Sequence, residues 1–277
     1  MSETEAPFIV SLGILRKTNN MKKRKRPTID PCLPTLGRTF CLLFPPHKEE
    51  VCGSEAEQIY AKGMNLVVDG HINEGIELLE ESYKKGYLTA GNTLAYGYSS
   101  GWFGERDYIK HIQILRKLVR RKHLLALCNY AYAYEYGLGV KRNIRLALYW
   151  YEKAAESGSV LALNNLAHFY LFKETAYKDI PKGLRYAIKA AECGDEEAQN
   201  ALGLCYEEGL GVDKNFEEAF KWFSLAVKNG AGPCALHNLA RCYREGKGVA
   251  IDKRKADRLD RQAIKLGYKK EFWARRK

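Results

Sequence analysis

The stretch Ala198-Gln199-Asn200-Ala201-Leu202-Gly203-Leu204-Cys205-Tyr206-Glu207-Glu208-Gly209-Leu210-Gly211-Val212 decides the fold. Its alanine, leucine, glycine and tyrosine at offsets 0, 4, 5 and 8 fall on one face of a helix. Gly209 and Gly211 then permit the left-handed torsions with which a helix ends and the chain reverses. The pattern recurs. Its alanine returns as Ala90, Ala126, Ala162, Ala198 and Ala235, at spacings of 36, 36, 36 and 37. With it travel a large residue (Leu94, Tyr130, Leu166, Leu202, Leu239) and a small one (Ala95, Ala131, Ala167, Gly203, Ala240). A tyrosine completes each set: Tyr98, Tyr134, Tyr170, Tyr206 and Tyr243. The small residue lets a neighbouring helix come close, and the tyrosine supplies a large buried area.

A second helix follows each glycine turn. Ala147, Ala219 and Ala256 align near its start, Trp150-Tyr151 and Trp222-Phe223 fill its middle, and Gly158, Gly194, Gly230 and Gly267 end it. One such pair cannot bury its apolar face alone, so neighbours must stack. The fold class expected is therefore all-α: a right-handed α-solenoid of about six helix-turn-helix repeats of ~36 residues. The units run at about 55–86, 87–123, 124–158, 159–194, 195–230 and 231–267, within an array over 53–267. Some are irregular. Unit 159–194 has Lys173-Glu174-Thr175 where others have turn glycines, and unit 87–123 has Gly101-Trp102-Phe103-Gly104 and ends on Lys122-His123. The last helix keeps only a narrow apolar stripe (Ala256, Leu259, Ala263, Leu266) among lysines and arginines, as a terminal cap would.

The quoted string, followed by Glu218-Ala219-Phe220-Lys221-Trp222-Phe223, resembles the Sel-one-like repeat family, a relative of tetratricopeptide arrays. The resemblance covers about residues 55–270 and implies an adaptor or scaffold rather than an enzyme. In tetratricopeptide relatives the first helices line a concave groove that receives partner peptides. Carried over, one groove column holds Asn92, Cys128, Asn164, Asn200 and His237, and the next Tyr96, Tyr132, His168, Leu204 and Arg241. Glu135, Glu207 and Arg244 stand further along. Asparagine can clamp a peptide backbone through both donor and acceptor, and tyrosine offers rigid contact area. Each residue has a second reading, as solvated surface or as helix packing. The Lys/Asn clamp for a terminal carboxylate has no clear counterpart here.

The net charge of +12 comes from the two ends. Residues 1–52 carry nine Lys/Arg against five Asp/Glu, and residues 253–277 carry eleven against three. The intervening body is formally neutral, which argues against a basic nucleic-acid face along the array. Basic ends suit an acidic partner, an anionic membrane surface or nucleic acid. Residues 1–52 hold six of the eight prolines and read as a disordered arm, and 268–277 as a basic tail. Within the arm, Lys22-Lys23-Arg24-Lys25-Arg26 before Pro27 has the form of a nuclear localisation signal.

Catalytic and metal chemistry have little support. Ser82-Tyr83-Lys84-Lys85 meets S-x-x-K formally, the one hint of a β-lactamase-like hydrolase, but lacks the accompanying motifs. No two of the six histidines are four apart, and none of the eight cysteines forms C-x-x-C. The cysteines read as reduced core thiols, and no cofactor is expected. No run approaches the ~18 apolar residues of a membrane span. The expected location is cytoplasmic, or nuclear in a eukaryotic cell. The expected partner is a protein or peptide, with the basic ends as a second, weaker contact.

Overall fold

The computed structural model describes residues 54–173 and 176–268. Among them lie twelve helices and no strand. They are α1 (Glu55–Asp69), α2 (Ile72–Lys84), α3 (Leu88–Ser100), α4 (Tyr108–Arg120), α5 (Leu124–Tyr136) and α6 (Ile144–Glu156). After these come α7 (Val160–Phe172), α8 (Ile180–Glu192), α9 (Glu196–Glu208), α10 (Phe216–Lys228), α11 (Pro233–Glu245) and α12 (Lys253–Lys265). Each helix packs chiefly on the ones before and after it, and first helices also meet across units, as α7 meets α9. This is a helical repeat solenoid, the expected class.

The alanine column is the inner seam. Ala90, Ala126, Ala162 and Ala198 are fully buried, with Leu94, Leu166 and Leu202 beside them. A Cβ on Gly203 would stand 2.5 Å from the Phe223 ring, so the missing side chain is the space that the second helix's aromatic fills. The tyrosine column does something the repeat pattern did not announce. The carbonyls of Tyr98, Tyr134, Tyr170, Tyr206 and Tyr243 accept the backbone N–H groups of Asp107, Asn143, Asp179, Asn215 and Asp252, at 2.8–3.2 Å. Each of these Asp or Asn side chains then caps the second helix of its unit, accepting from backbone N–H groups two or three residues on. The tyrosine-to-cap distance is nine residues in every unit. Loop length and cap chemistry therefore hold the turn, which is why unit 159–194 makes it without glycines.

Where the glycines are present, the two differ. Gly137 ends α5 at φ 77° and its N–H reaches the Ala133 carbonyl. Gly139 also has positive φ, but a Cβ there would lie 2.1 Å from the Tyr108 carbonyl oxygen at the start of α4. The first glycine turns the chain; the second lets the turn nest on the preceding unit. Lys122 takes the left-handed role (φ 55°) that glycine fills at the ends of neighbouring units.

Cys128, Cys205 and Cys242 are buried free thiols and Cys193 is an exposed one. Burial pushes Cys128 and Cys205 up to about 12, which keeps both protonated. Cys234 is disulfide-bonded, so the expectation of thiols throughout fails at that position. No described helix is long and apolar enough to cross a membrane.

Candidate partner-binding face

Side chains four apart on the first helices form one stripe per unit. On α3 it holds Asn92, Tyr96 and Ser100; on α5, Cys128, Tyr132 and Tyr136; on α7, Asn164, His168 and Phe172. On α9 it holds Asn200, Leu204 and Glu208, and on α11 His237, Arg241 and Glu245.

Many of the polar groups in or beside this stripe are engaged between units. Asn92 is fully buried and its Oδ1 accepts from Asn129 Nδ2 at 2.8 Å, joining α3 to α5. Asn200 accepts from Asn238 at 2.9 Å, and buried Asn164 reaches Glu197 at 3.5 Å. Cys128 Sγ lies 3.2 Å from Ser159 Oγ. Two buried carboxylates follow one scheme, two units apart. Glu207 holds Arg241 and, at 2.9 Å, Lys247 of the next unit. Glu135 accepts from the Tyr151 hydroxyl at 3.0 Å and ion-pairs with Lys173, again one unit on. Burial lowers the Lys173 pKa, and the carboxylate it touches opposes that shift. At the far end His237 Nδ1 stands 3.0 Å from Asp260 Oδ1 and the ring stacks on Tyr268, while Arg244 binds Asp260 and Asp257.

The middle of the stripe is aromatic. Tyr132 and Tyr136 lie with ring centroids 4.4 Å apart, and His168 and Phe172 5.6 Å apart. Tyr136 is 43% exposed, while Tyr132, His168, Phe172 and Leu204 are half-buried and Tyr96 is buried. Burial pushes the Tyr132 phenol up to about 12, so it is a neutral hydroxyl at physiological pH. Tyr136 and Phe172 were not among the expected groove residues. The signal was present: each stands one turn after a residue that was, Tyr132 and His168.

A cleft of about 1030 Å³ lies away from this stripe, between α2 and the start of α4. Ile76, Glu77 and Glu80 form one wall, and Phe103 of the irregular Gly101–Gly104 turn lies opposite. No group of three His, Cys, Asp or Glu suited to a metal ion occurs among the described residues. Ser82 is fully buried and its hydroxyl donates to the Ala56 carbonyl at 2.5 Å, a bond that holds α2 to α1. The run Lys22–Arg26 lies outside the described residues.

Stacked helix pairs with inter-unit polar bonds define the class, a helical repeat protein whose first helices carry a continuous partly exposed stripe. The chain belongs to the Sel1 repeat family: the Sel1 repeat matches residues 124–159, 160–195, 196–230 and 235–268, a little over half of it. It is 39% identical over 74 residues to a putative sel1-like repeat-containing protein of Acanthamoeba polyphaga mimivirus; the match spans 26% of this chain and 13% of that protein. Among solved structures it is similar to a Sel1 repeat protein from Oxalobacter formigenes, with TM-score 0.68 and 24% identity over 76% of this chain and 85% of that one. It is also similar to a protective antigen of uropathogenic Escherichia coli that displays the SLR fold. That match has TM-score 0.63 and 24% identity over 77% of this chain and 46% of that one. An immunity protein from Pseudomonas aeruginosa matches at TM-score 0.57 and 20% identity, over 80% and 89% of the two chains. At these identities the likeness is one of fold.

Proposed function

We propose that the protein is an adaptor or scaffold that binds a partner protein through an extended segment laid along the first-helix stripe. The observation that carries this reading is the aromatic centre, where Tyr132, Tyr136, His168 and Phe172 keep ring surface in or near solvent. Asn92, Glu135, Asn164 and Glu207 are buried and bonded within the chain, so they act by holding the units at their spacing. The contact that remains for a partner is the aromatic centre; Asn200, His237, Arg241 and Arg244 are also bonded within the chain but are only half-buried, so they can border it. Sel1 repeats are generally protein-interaction modules, which supports a protein partner; the role of the stripe rests on its exposed rings.

The test is affinity capture from native extract with the intact chain beside a Tyr132→Ser/Tyr136→Ser/Phe172→Ser variant of unchanged helicity. A defined protein set taken by the native chain and lost by the variant supports the stripe. Equal capture by both rules it out. A second reading follows from α12, whose Lys253, Arg254, Arg258, Arg261 and Lys265 are all exposed. That face would bind an anionic surface or nucleic acid, with retention that weakens steeply as salt rises.

A further inference from the structure

We propose that the cleft between α2 and the start of α4 receives the basic outer face of α12 from a second copy of the chain, so that copies associate head to tail. The inference deepens the second reading above by naming an anionic surface for α12, and it does not use the stripe.

The cleft has a cause in the sequence. Gly139, Gly211 and Gly248 stand five residues after Tyr134, Tyr206 and Tyr243. Each touches the start of the preceding unit's second helix. A Cβ on them would lie 2.1 Å from the Tyr108 carbonyl oxygen, 2.8 Å from the Ile180 side chain and 2.1 Å from the Phe216 carbonyl oxygen. In unit 87–123 the place five residues after Tyr98 holds Phe103. A ring cannot nest on a backbone as glycine does. Phe103 folds back over Gly97 instead, where a Cβ would lie 2.1 Å from it. It stacks on Trp102 and meets Tyr98 edge-on, with centroids 5.6 and 5.4 Å away. The start of α2 is left without a nested turn, and the cleft of about 1030 Å³ opens there.

Charge decides the occupant. Glu77, Glu80, Glu105 and Asp107 line the cleft against two bases, Arg106 and Lys110. Both bases are turned to groups nearby in sequence. Lys110 Nζ lies 4.0 Å from Asp107 and 4.9 Å from the Tyr98 ring centre, and Arg106 donates to the Tyr108 hydroxyl at 3.3 Å. Glu77, Glu80 and Glu105 are exposed and make no ion pair among the described residues. At the far end of the array the signs reverse. Arg254, Arg258, Arg261 and Lys265, spaced 4, 3 and 4 residues apart, form one stripe of α12 opposite the buried Ala256, Leu259 and Ala263. All four are exposed, and none is ion-paired among the described residues. Each surface also carries an exposed isoleucine: Ile109 in the cleft, 61% exposed, and Ile264 beside Lys265, 63% exposed. Cationic stripe and carboxylate-rimmed cleft are complementary in sign, and each offers an apolar contact.

Geometry makes the occupant another molecule. Helices contact mainly their sequence neighbours, so α2 and α12 stand at opposite ends of one array. Joining the first units of one copy to the last helix of another is a heterologous contact. It leaves one cleft and one α12 face open, so further copies add until a ring closes or a chain runs on.

The experiment is sedimentation velocity of the full chain over a ~100-fold concentration range, at about 50 mM and about 500 mM salt. Expected is a mean mass that rises past the dimer with concentration in low salt and returns to the monomer in high salt. Glu77→Lys/Glu80→Lys and Arg258→Glu/Arg261→Glu chains of unchanged helicity should each associate at least ~10-fold more weakly. Mixing the two variants one to one should restore association, because each then meets a surface of opposite sign. A chain that is monomeric throughout, association that both variants keep, or loss without recovery on mixing overturns the proposal. A monomeric chain that binds a labelled single-stranded oligonucleotide through Arg258 and Arg261 overturns it too, while leaving the second reading of α12 in place.

Discussion

Single residues in this protein do different work at identical places in the repeat pattern. Gly137 and Gly139 look equivalent in sequence, yet only the second faces another unit's backbone. Gly137→Ala should cost about 1 kcal/mol for the left-handed torsion. Gly139→Ala should cost about 3 kcal/mol, because the added methyl must also push the start of α4 away. Urea denaturation of the two variants checks the order, and equal losses would refute the nesting. His111 is a second case. It is buried, and its Nδ1 lies 2.8 Å from the Ala95 carbonyl, so that nitrogen carries the proton. Burial lowers its pKa. The unfolded chain then takes up a proton near pH 6.5 while the folded chain resists it, so stability falls as pH drops through that value. Between pH 7 and pH 5 the native chain should lose more stability than His111→Gln, and parallel losses would assign the acid sensitivity elsewhere.

At the level of the helix, the stitches between units explain why the expected groove polar residues are so deeply placed. Asn92 with Asn129, Asn200 with Asn238, and Glu207 with Arg241 and Lys247 each tie a first helix to the next one. Removing a buried carboxylate strands its cations. In fully enclosed pairs such a break costs 3–5 kcal/mol. Arg241 and Lys247 keep about a quarter of their side chains in water, so Glu207→Gln should cost about 2 kcal/mol. Chemical denaturation measures this, and a change below ~0.5 kcal/mol would mean the pair is only a surface contact. Helix caps carry a related lesson. The Asp or Asn at 107, 143, 179, 215 and 252 repeats as regularly as the alanines, and each donates to its tyrosine's carbonyl while capping the following helix.

Across the whole molecule, helices contact mainly their sequence neighbours, so stability is a sum of unit and interface terms. Terminal helices have one neighbour fewer. Amide exchange should therefore be slowest in α5–α10 and fastest in α1 and α12, as followed by mass spectrometry. Greatest protection at either end would contradict an array held only by nearest neighbours. The fold itself was legible. Spacings of 36 and 37, alternating glycine turns and a narrow final stripe yielded an all-α array of helix pairs ending on a basic helix, the class observed. Such features are local, set by helix periodicity and by which residues tolerate a turn. The candidate face was legible only in part. A column in the repeat says that Asn92, Tyr132 and Glu207 occupy comparable places, but not which the next unit will cover. Burial at each position depends on the side chains that the neighbouring helix brings from the next unit, 37 residues away for Asn129 on Asn92 and 34 for Arg241 on Glu207. Only stacking decided that the asparagines and glutamates would be spent between units while the Tyr132–Tyr136 and His168–Phe172 pairs kept a face to solvent, because the stripe's exposure is a property of adjacent units together and not of any one repeat.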